Sequence, residues 1–197
     1  MRNFGVKIMC KKLEYLNGLT PEEIRFLAKV DSYPVDMDRV LKELEIENGA
    51  MDFSSIEERF PELIESRGSI LGAVTVTGDD ISIFYSDKST ENRKRFTLAH
   101  ELAHCCLDAE SLKKGHVEFR WDTKNASAKE WVANVFAGQL LIPEKRLREK
   151  YNELAVPTID DMAREFGVSI HVMEARLKHL GLGFYAPQNY EDEAGEC

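Results

Sequence analysis

No run of apolar residues in this sequence approaches the roughly 18 that a membrane-crossing helix needs. The stretch Met1 to Lys12 sets Lys7, Lys11 and Lys12 among apolar residues and has no apolar core followed by a small-residue cleavage site, so no secretory signal is read there. Together these absences lead to the expectation of a cytoplasmic protein without a membrane partner. Cysteine is scarce: Cys10, the adjacent pair Cys105-Cys106 and Cys197 are the only four in 197 residues. They form neither a disulfide framework nor a Cys-x-x-Cys zinc pattern, and free thiols are expected in a reducing compartment. Cations are outnumbered, with 26 Lys and Arg against 35 Asp and Glu, a net charge of −9. Such a surface repels phosphate backbones and weighs against nucleic acid as the main ligand. There is no internal repeat and no low-complexity tract. What remains, 43% hydrophobic and 31% charged, is the balance of an ordinary globular protein. Its length suits one compact domain, or one domain plus a small appendage.

Local signals order the chain. Thr20-Pro21-Glu22-Glu23 reads as a helix start, with a hydroxyl N-cap, proline at the first helical position and acids in the first turn. A second short amphipathic helix is expected over Val35–Leu44, and a third from Ser54 or Ser55 to Pro61. Ile70–Thr77 and Ile81–Tyr85 are rich in β-branched and aromatic residues around Thr77-Gly78-Asp79-Asp80, which predicts a β-hairpin. His116–Trp121 is a candidate third strand. Between them a long helix is expected over Thr90–Glu110, with Phe96, Ala99, Ala103 and Leu107 as its apolar stripe. Further helices are expected over Ser127–Leu141, stopping at Pro143, then Ile159–Phe166 and Ser169–Leu180, joined by Gly167.

The long helix carries His100-Glu101-Leu102-Ala103-His104. Four residues of helix separate the imidazoles by about 40° around the axis and about 6 Å along it, so both can reach one ion. Two nitrogens and an oxygen in a tetrahedral site with one open position suit zinc. Glu101 lies about 100° round from His100. There it flanks the ion, placed to take a proton from an attacking water and return it to a leaving amine. A bare His-Glu-x-x-His is a weak signal by itself; the helical context and the buried character of Leu102 and Ala103 strengthen it. Glu130 is the leading third ligand, with Asn134 one turn on, able to hydrogen-bond a ligand histidine and fix its tautomer. Ser127-x-x-Glu130 is equally a capping box, and Glu144, Glu118 and Asp108 are rivals.

Two stretches then carry a resemblance. Arg95-Phe96-Thr97-Leu98-Ala99-His100-Glu101-Leu102-Ala103-His104, and Glu130-Trp131-Val132-Ala133-Asn134 continuing to Ile142-Pro143, resemble in order the paired signatures of the ImmA/IrrE metallopeptidases. The resemblance spans about Pro34 to Leu182. It implies that His100, His104 and Glu130 bind zinc and that Glu101 is the base. It implies a partner too: members of that family cleave or antagonise DNA-binding repressors, some relieving repression of mobile elements and some governing stress responses. Asp108 stands where the family often has histidine. No C-terminal sensor domain like that of the longer radiation-response members is expected, so control is expected from a separate protein or from the substrate's own state.

The remaining features have plainer readings. Cys105 and Cys106 suit buried, inert thiols. Arg93-Lys94-Arg95 suits a solvated helix start, with Arg95 able to pair in the core, and Trp131 and Phe136 are expected to pack the two long helices together. Thr158 to Leu180 looks like a helix-turn-helix, yet Asp160, Asp161, Glu165 and Glu174 balance its cations, so packing or protein docking is expected over specific DNA binding. Candidate donors for a developing oxyanion are Tyr85, His116, Tyr151, His171 and Tyr185. A strand of the Ile70–Tyr85 hairpin is the expected free edge on which a substrate would be held.

The expected fold is α+β: a small antiparallel sheet beside the metal helix and a second, Glu130-bearing helix, with a helix-turn-helix-like pair at the C-terminal end. The expected divisions are a helical lead-in at 1–67, a zinc metallopeptidase core at 68–156, the helix pair at 157–182 and a mobile tail at 183–197. The expected activity is limited endoproteolysis of a repressor-like, transcription-regulating protein. Its rivals are a non-catalytic, zinc-containing regulator that binds such a repressor, and a DNA-binding transcription factor.

Overall fold

The structure, a computed structural model, describes residues 11–109, 111–112, 117–122 and 127–185. Chain order runs α1 (Lys11–Leu16), α2 (Pro21–Leu27), α3 (Met37–Glu43), β1 (Glu47–Met51), α4 (Ser54–Arg59), α5 (Pro61–Arg67), β2 (Ile70–Thr77), β3 (Asp80–Ser86), α6 (Glu91–Leu107), β4 (Val117–Trp121), α7 (Ala128–Leu141), α8 (Glu144–Glu153), α9 (Ile159–Phe166) and α10 (Ile170–His179). The class is α+β, as expected. Glu110, His116 and the tail beyond Tyr185, together with Cys10 and Cys197, lie outside the described residues.

The hairpin forms as its turn chemistry dictates. Thr77 pairs with Asp80 across the two-residue turn Gly78-Asp79, and Gly78 takes φ +67°, which glycine adopts without a Cβ penalty. The sheet is larger than a hairpin plus one strand, with order β1-β3-β2-β4 and β1 parallel to β3. The expected lead-in therefore contributes a strand. Glu47-Asn48-Gly49-Ala50-Met51 has little β-propensity, and only its pairing with β3 makes it extended. One consequence overturns the expected free edge. Both hairpin strands are interior, β3 flanked by β1 and β2 flanked by β4, so β1 and β4 are the edges among the described strands.

α6 lies against β2 and β3 on one side and against α7 on the other. Every residue from Thr97 to Cys106 is buried, so its C-terminal half is enclosed all round and the single expected stripe does not describe it. Leu107, placed in that stripe, is 42% exposed. One apolar cluster runs from Leu13 and Leu16 through Leu98 and Leu102 to Phe166 and Leu177. Burying such leucines contributes about 1.5–3 kcal/mol each before entropy is counted. The lead-in and the C-terminal helix pair thus share a core with α6.

Polar side chains tie these parts together. Arg95 donates to the Val35 carbonyl at 3.1 Å and also to the carbonyl of Gly167, joining the lead-in, α6 and the α9–α10 turn. The expected solvated helix start thus turns one of its three cations inward, onto backbone carbonyls. Gly167 has φ +58°, and a Cβ there would meet Arg95 and Pro34 at 2.6–2.7 Å, so both torsion and space demand glycine. The C-terminal end of α7 has no glycine cap. Arg25 donates to the Gln139 carbonyl at 2.7 Å, and Arg176 donates to that of Ile142 at 3.1 Å, satisfying carbonyls that a helix end leaves orphaned. α8 was missed in the sequence, because Glu144–Glu153 is charged nearly throughout and buries only Leu147.

Candidate metal centre

Two helix starts fix the register of the site. Thr90 caps α6 by accepting from the Arg93 N–H at 3.4 Å, and Ser127 caps α7 by accepting from the Glu130 N–H at 3.3 Å. A capping box would turn the Glu130 side chain back toward Ser127. It turns instead to α6: Glu130 Oε2 is 3.1 Å from His100 Nε2, and Glu130 Oε1 is 3.3 Å from His104 Nε2. The two imidazole Nε2 atoms are 3.0 Å apart. Buried alanines on both helices, Ala99 and Ala103 on α6 and Ala133 and Ala137 on α7, permit the close approach that brings the carboxylate to both rings.

One ligand atom from each of His100, His104 and Glu130 lies within 4.8 Å of the others. Donor atoms about 2.0–2.1 Å from a tetrahedral ion stand about 3.3 Å from one another. The imidazole nitrogens stand 3.0 Å apart and each has a different Glu130 oxygen at 3.1 or 3.3 Å, so the three side chains converge on one point at a spacing of that order. Asn134 Oδ1 lies 2.8 Å from His100 Nδ1. An amide oxygen can only accept, so the proton belongs on Nδ1 and the Nε2 lone pair is turned toward the cluster.

The electrostatics follow from burial and neighbours. Burial, reinforced by the Arg120 charge, lowers His100 to about 4, so its ring is neutral. Burial also opposes charge on His104, but the Glu130 hydrogen bond and the charge of Glu101 together raise it. The two imidazoles set against Glu130 hold its carboxyl well below the usual carboxylate range. Glu101 is 1% exposed, and burial pushes its carboxyl up to about 7. Its Oε1 has no hydrogen-bond partner among the described residues. An orphaned buried oxygen of that kind marks a place where water or an ion belongs.

The rival ligands are engaged elsewhere or stand outside the cluster. Asp108 accepts from Lys129 at 3.0 Å, tying the end of α6 to the start of α7. Glu144 accepts from Arg148 at 2.7 Å. Glu118, on β4, contributes charge to Glu101 and His104 but is not in the ligand group. Cys105 and Cys106 are buried, and burial pushes the Cys106 thiol up to about 12, which keeps it protonated and inert. Phe136 is buried as expected, whereas Trp131 is 60% exposed. It lies about 100° round the helix from Glu130, and the face of Ala133 and Ala137 makes the packing contact.

Two neighbours went unrecognised in the sequence. Gly72 on β2 faces α6, where a Cβ would meet Thr97 Cγ2 at 2.5 Å and the Phe84 carbonyl oxygen at 2.9 Å, with Glu101 Oε1 at 3.4 Å. Arg120 on β4 pairs in register with Gly72 and donates from Nη1 to Thr97 Oγ1 at 3.0 Å. A lone glycine in a strand was the one available signal for close approach; nothing local marked Arg120.

The model of the Peptidase M78 family, described as an IrrE N-terminal-like domain, matches residues 74–178. No curated protein matches the chain.

Proposed function

From the premise that this chain belongs to the Peptidase M78, IrrE N-terminal-like family, a family of ImmA/IrrE-type metallopeptidases, we propose that it is a zinc-dependent endopeptidase that cuts a repressor-type DNA-binding protein at a limited site. The supporting observation is the buried, unpartnered carboxylate oxygen of Glu101 beside the ligand group of His100, His104 and Glu130. A purely structural metal site has no use for such a group, which costs free energy to bury. That weighs against the regulator that only binds.

In this reading His100, His104 and Glu130 hold the ion, and Asn134 orients His100. Zinc, when bound, supplies a Lewis acid that acidifies water and polarises a carbonyl. Glu101 takes a proton from water as its oxygen attacks the peptide carbon. As the C–N bond breaks, Glu101 delivers that proton to the departing amine, and the new carboxylic acid gives up its own proton, leaving a carboxylate and an ammonium group. Held beside the ligand group, one carboxylate can serve both transfers.

No helix among the described residues is long and apolar enough to cross a membrane, and a cytoplasmic setting is proposed, where repressors act. The helix pair α9–α10 is proposed to pack and dock protein. Arg176 is 8% exposed and committed to the Ile142 carbonyl, and Lys178 pairs with Glu174 at 2.6 Å. Few cations of α10 are left for phosphates, which disfavours the transcription-factor reading.

The test is incubation of zinc-loaded protein with the repressor encoded beside its gene, read by mass spectrometry. Glu101→Gln should keep its zinc and lose roughly two to four orders of magnitude in rate, while His104→Ala should lose both metal and cutting. Relief of repression in cells by Glu101→Gln equal to that by wild type, with the repressor uncut in both, would establish the binding-only regulator instead.

A further inference from the structure

Peptide cleavage places negative charge on the carbonyl oxygen, and a donor besides the metal is expected to meet it. The tyrosines and the one described histidine put forward from sequence have other places in the fold. Tyr85 lies under the Lys94 ammonium at 5.0 Å, Tyr185 is 67% exposed and bridged to Thr158, and Tyr151 and His171 sit on α8 and α10. His116 lies outside the described residues.

Resting on the metallopeptidase reading, we propose that Arg120 is a catalytic residue whose guanidinium receives the carbonyl oxygen of the bond being cut. β4 alternates its side chains. Phe119 and Trp121 pack on the far face with Phe53 and Ile70, so Glu118 and Arg120 face α6. Arg120 sits opposite Gly72, and the absent Cβ of Gly72 is what leaves room for Thr97 and Glu101 at that point. The guanidinium lies 5.3 Å from the Phe96 ring centroid, and that ring is 6.4 Å from the His100 ring. Its charge acts on His100 and Glu101, and the charges of Glu101 and Glu130 act on it. Arg120 stands in register with Gly72, whose missing Cβ would lie 3.4 Å from Glu101 Oε1, so an acid is at hand on the same face for a salt bridge. Among the described residues it makes none, and its hydrogen bond goes to the Thr97 hydroxyl. A guanidinium carries five N–H groups, always charged and rigidly splayed, so donors remain for an incoming oxygen. β4 is also an edge strand, and its outer side pairs with no described strand. A peptide added there would run past Arg120 with its carbonyls in reach.

The test uses the zinc-loaded full chain and a set of phosphinic peptides of varied flanking sequence, which present a tetrahedral anion in place of the scissile bond. Arg120→Met should lose roughly a hundredfold to a thousandfold in kcat on the repressor, the usual worth of one oxyanion donor, with KM little changed. Its affinity for the best-bound phosphinic peptide should fall by a similar factor. Binding of uncut repressor, measured in the Glu101→Gln background, should fall less than about fivefold, because ground-state binding does not use the oxyanion contact. Arg120→Lys, which keeps the charge, should recover part of both losses. Zinc content and thermal midpoint, followed in parallel, identify a variant that has merely misfolded; Arg120→Lys then carries the comparison. Equal losses in phosphinic-peptide and repressor binding, or an unchanged kcat, would overturn the proposal and leave Arg120 as packing between β4 and α6. A wild type that neither cuts repressor nor binds any phosphinic peptide removes the peptidase reading itself, and this proposal with it.

Discussion

Burial of Glu101 should be measurable as a pH-dependent loss of stability in metal-free protein. Its carboxyl ordinarily titrates at 4.5 and is pushed up to about 7 in the fold, chiefly by burial, while His104 and Arg120 pull it partly back. The unfolded chain therefore releases this proton at lower pH than the folded one. Between the two values the folded state binds more protons, so stability falls as pH rises from 4.5 through about 7 and then levels off. At roughly 1.36 kcal/mol per unit, the full cost is about 3 kcal/mol. Glu101→Gln abolishes that titration. Burying the amide has a cost of its own, but that cost does not depend on pH. The informative quantity is the stability difference between variant and wild type, compared at about pH 4.5 and about pH 8. It should move in favour of the variant by about 3 kcal/mol over that range. Urea unfolding of both proteins in excess chelator measures it, and groups common to both, such as His100, largely cancel. A difference that stays constant with pH would refute the reasoning, because Glu101 would then titrate alike in folded and unfolded states.

Other consequences follow from particular contacts. Asn134→Ala removes the acceptor that fixes the His100 tautomer, so zinc affinity should drop about tenfold to a hundredfold in competition against a chromogenic chelator, with the circular dichroism spectrum unchanged. Gly72→Ala forces a Cβ into Thr97 and the Phe84 carbonyl; a loss of about 1–3 kcal/mol in chemical unfolding is expected, and a neutral result would show that α6 can shift freely on the sheet. Arg176→Met strips the Ile142 carbonyl of its donor and should cost about 1–3 kcal/mol. The intact wild-type protein should show no nanomolar, salt-sensitive binding to the operator of its neighbouring repressor in a gel-shift titration.

The metal-binding pattern was legible because it is local. A helix fixes the angle between residues four apart whatever surrounds it, so His100 and His104 can be placed on one face from spacing alone. Helix starts at Thr20, Thr90, Ser127, Thr158 and Ser169 were readable for the same reason, since an N-cap acts within its own first turn. Hairpin turn chemistry at Gly78-Asp79 is equally local. The destination of the Glu130 carboxylate was not. Its own segment offers a capping box and a ligand on equal terms, and only the packing of α7 against α6 turns it to the imidazoles. β1 became a strand because β3 offered a parallel edge, which no property of Glu47–Met51 announces. The same pairing, with β4 on the other side, made the hairpin interior and moved the edges of the described sheet to β1 and β4. Arg120 and Gly72 lie 48 positions apart in sequence, and strand register alone sets them opposite each other beside Glu101. Sequence by itself determined which residues could do chemistry, through interactions reaching a turn or less along the chain. Tertiary structure decided which of them meet, because contacts between distant segments depend on how several buried faces pack at once.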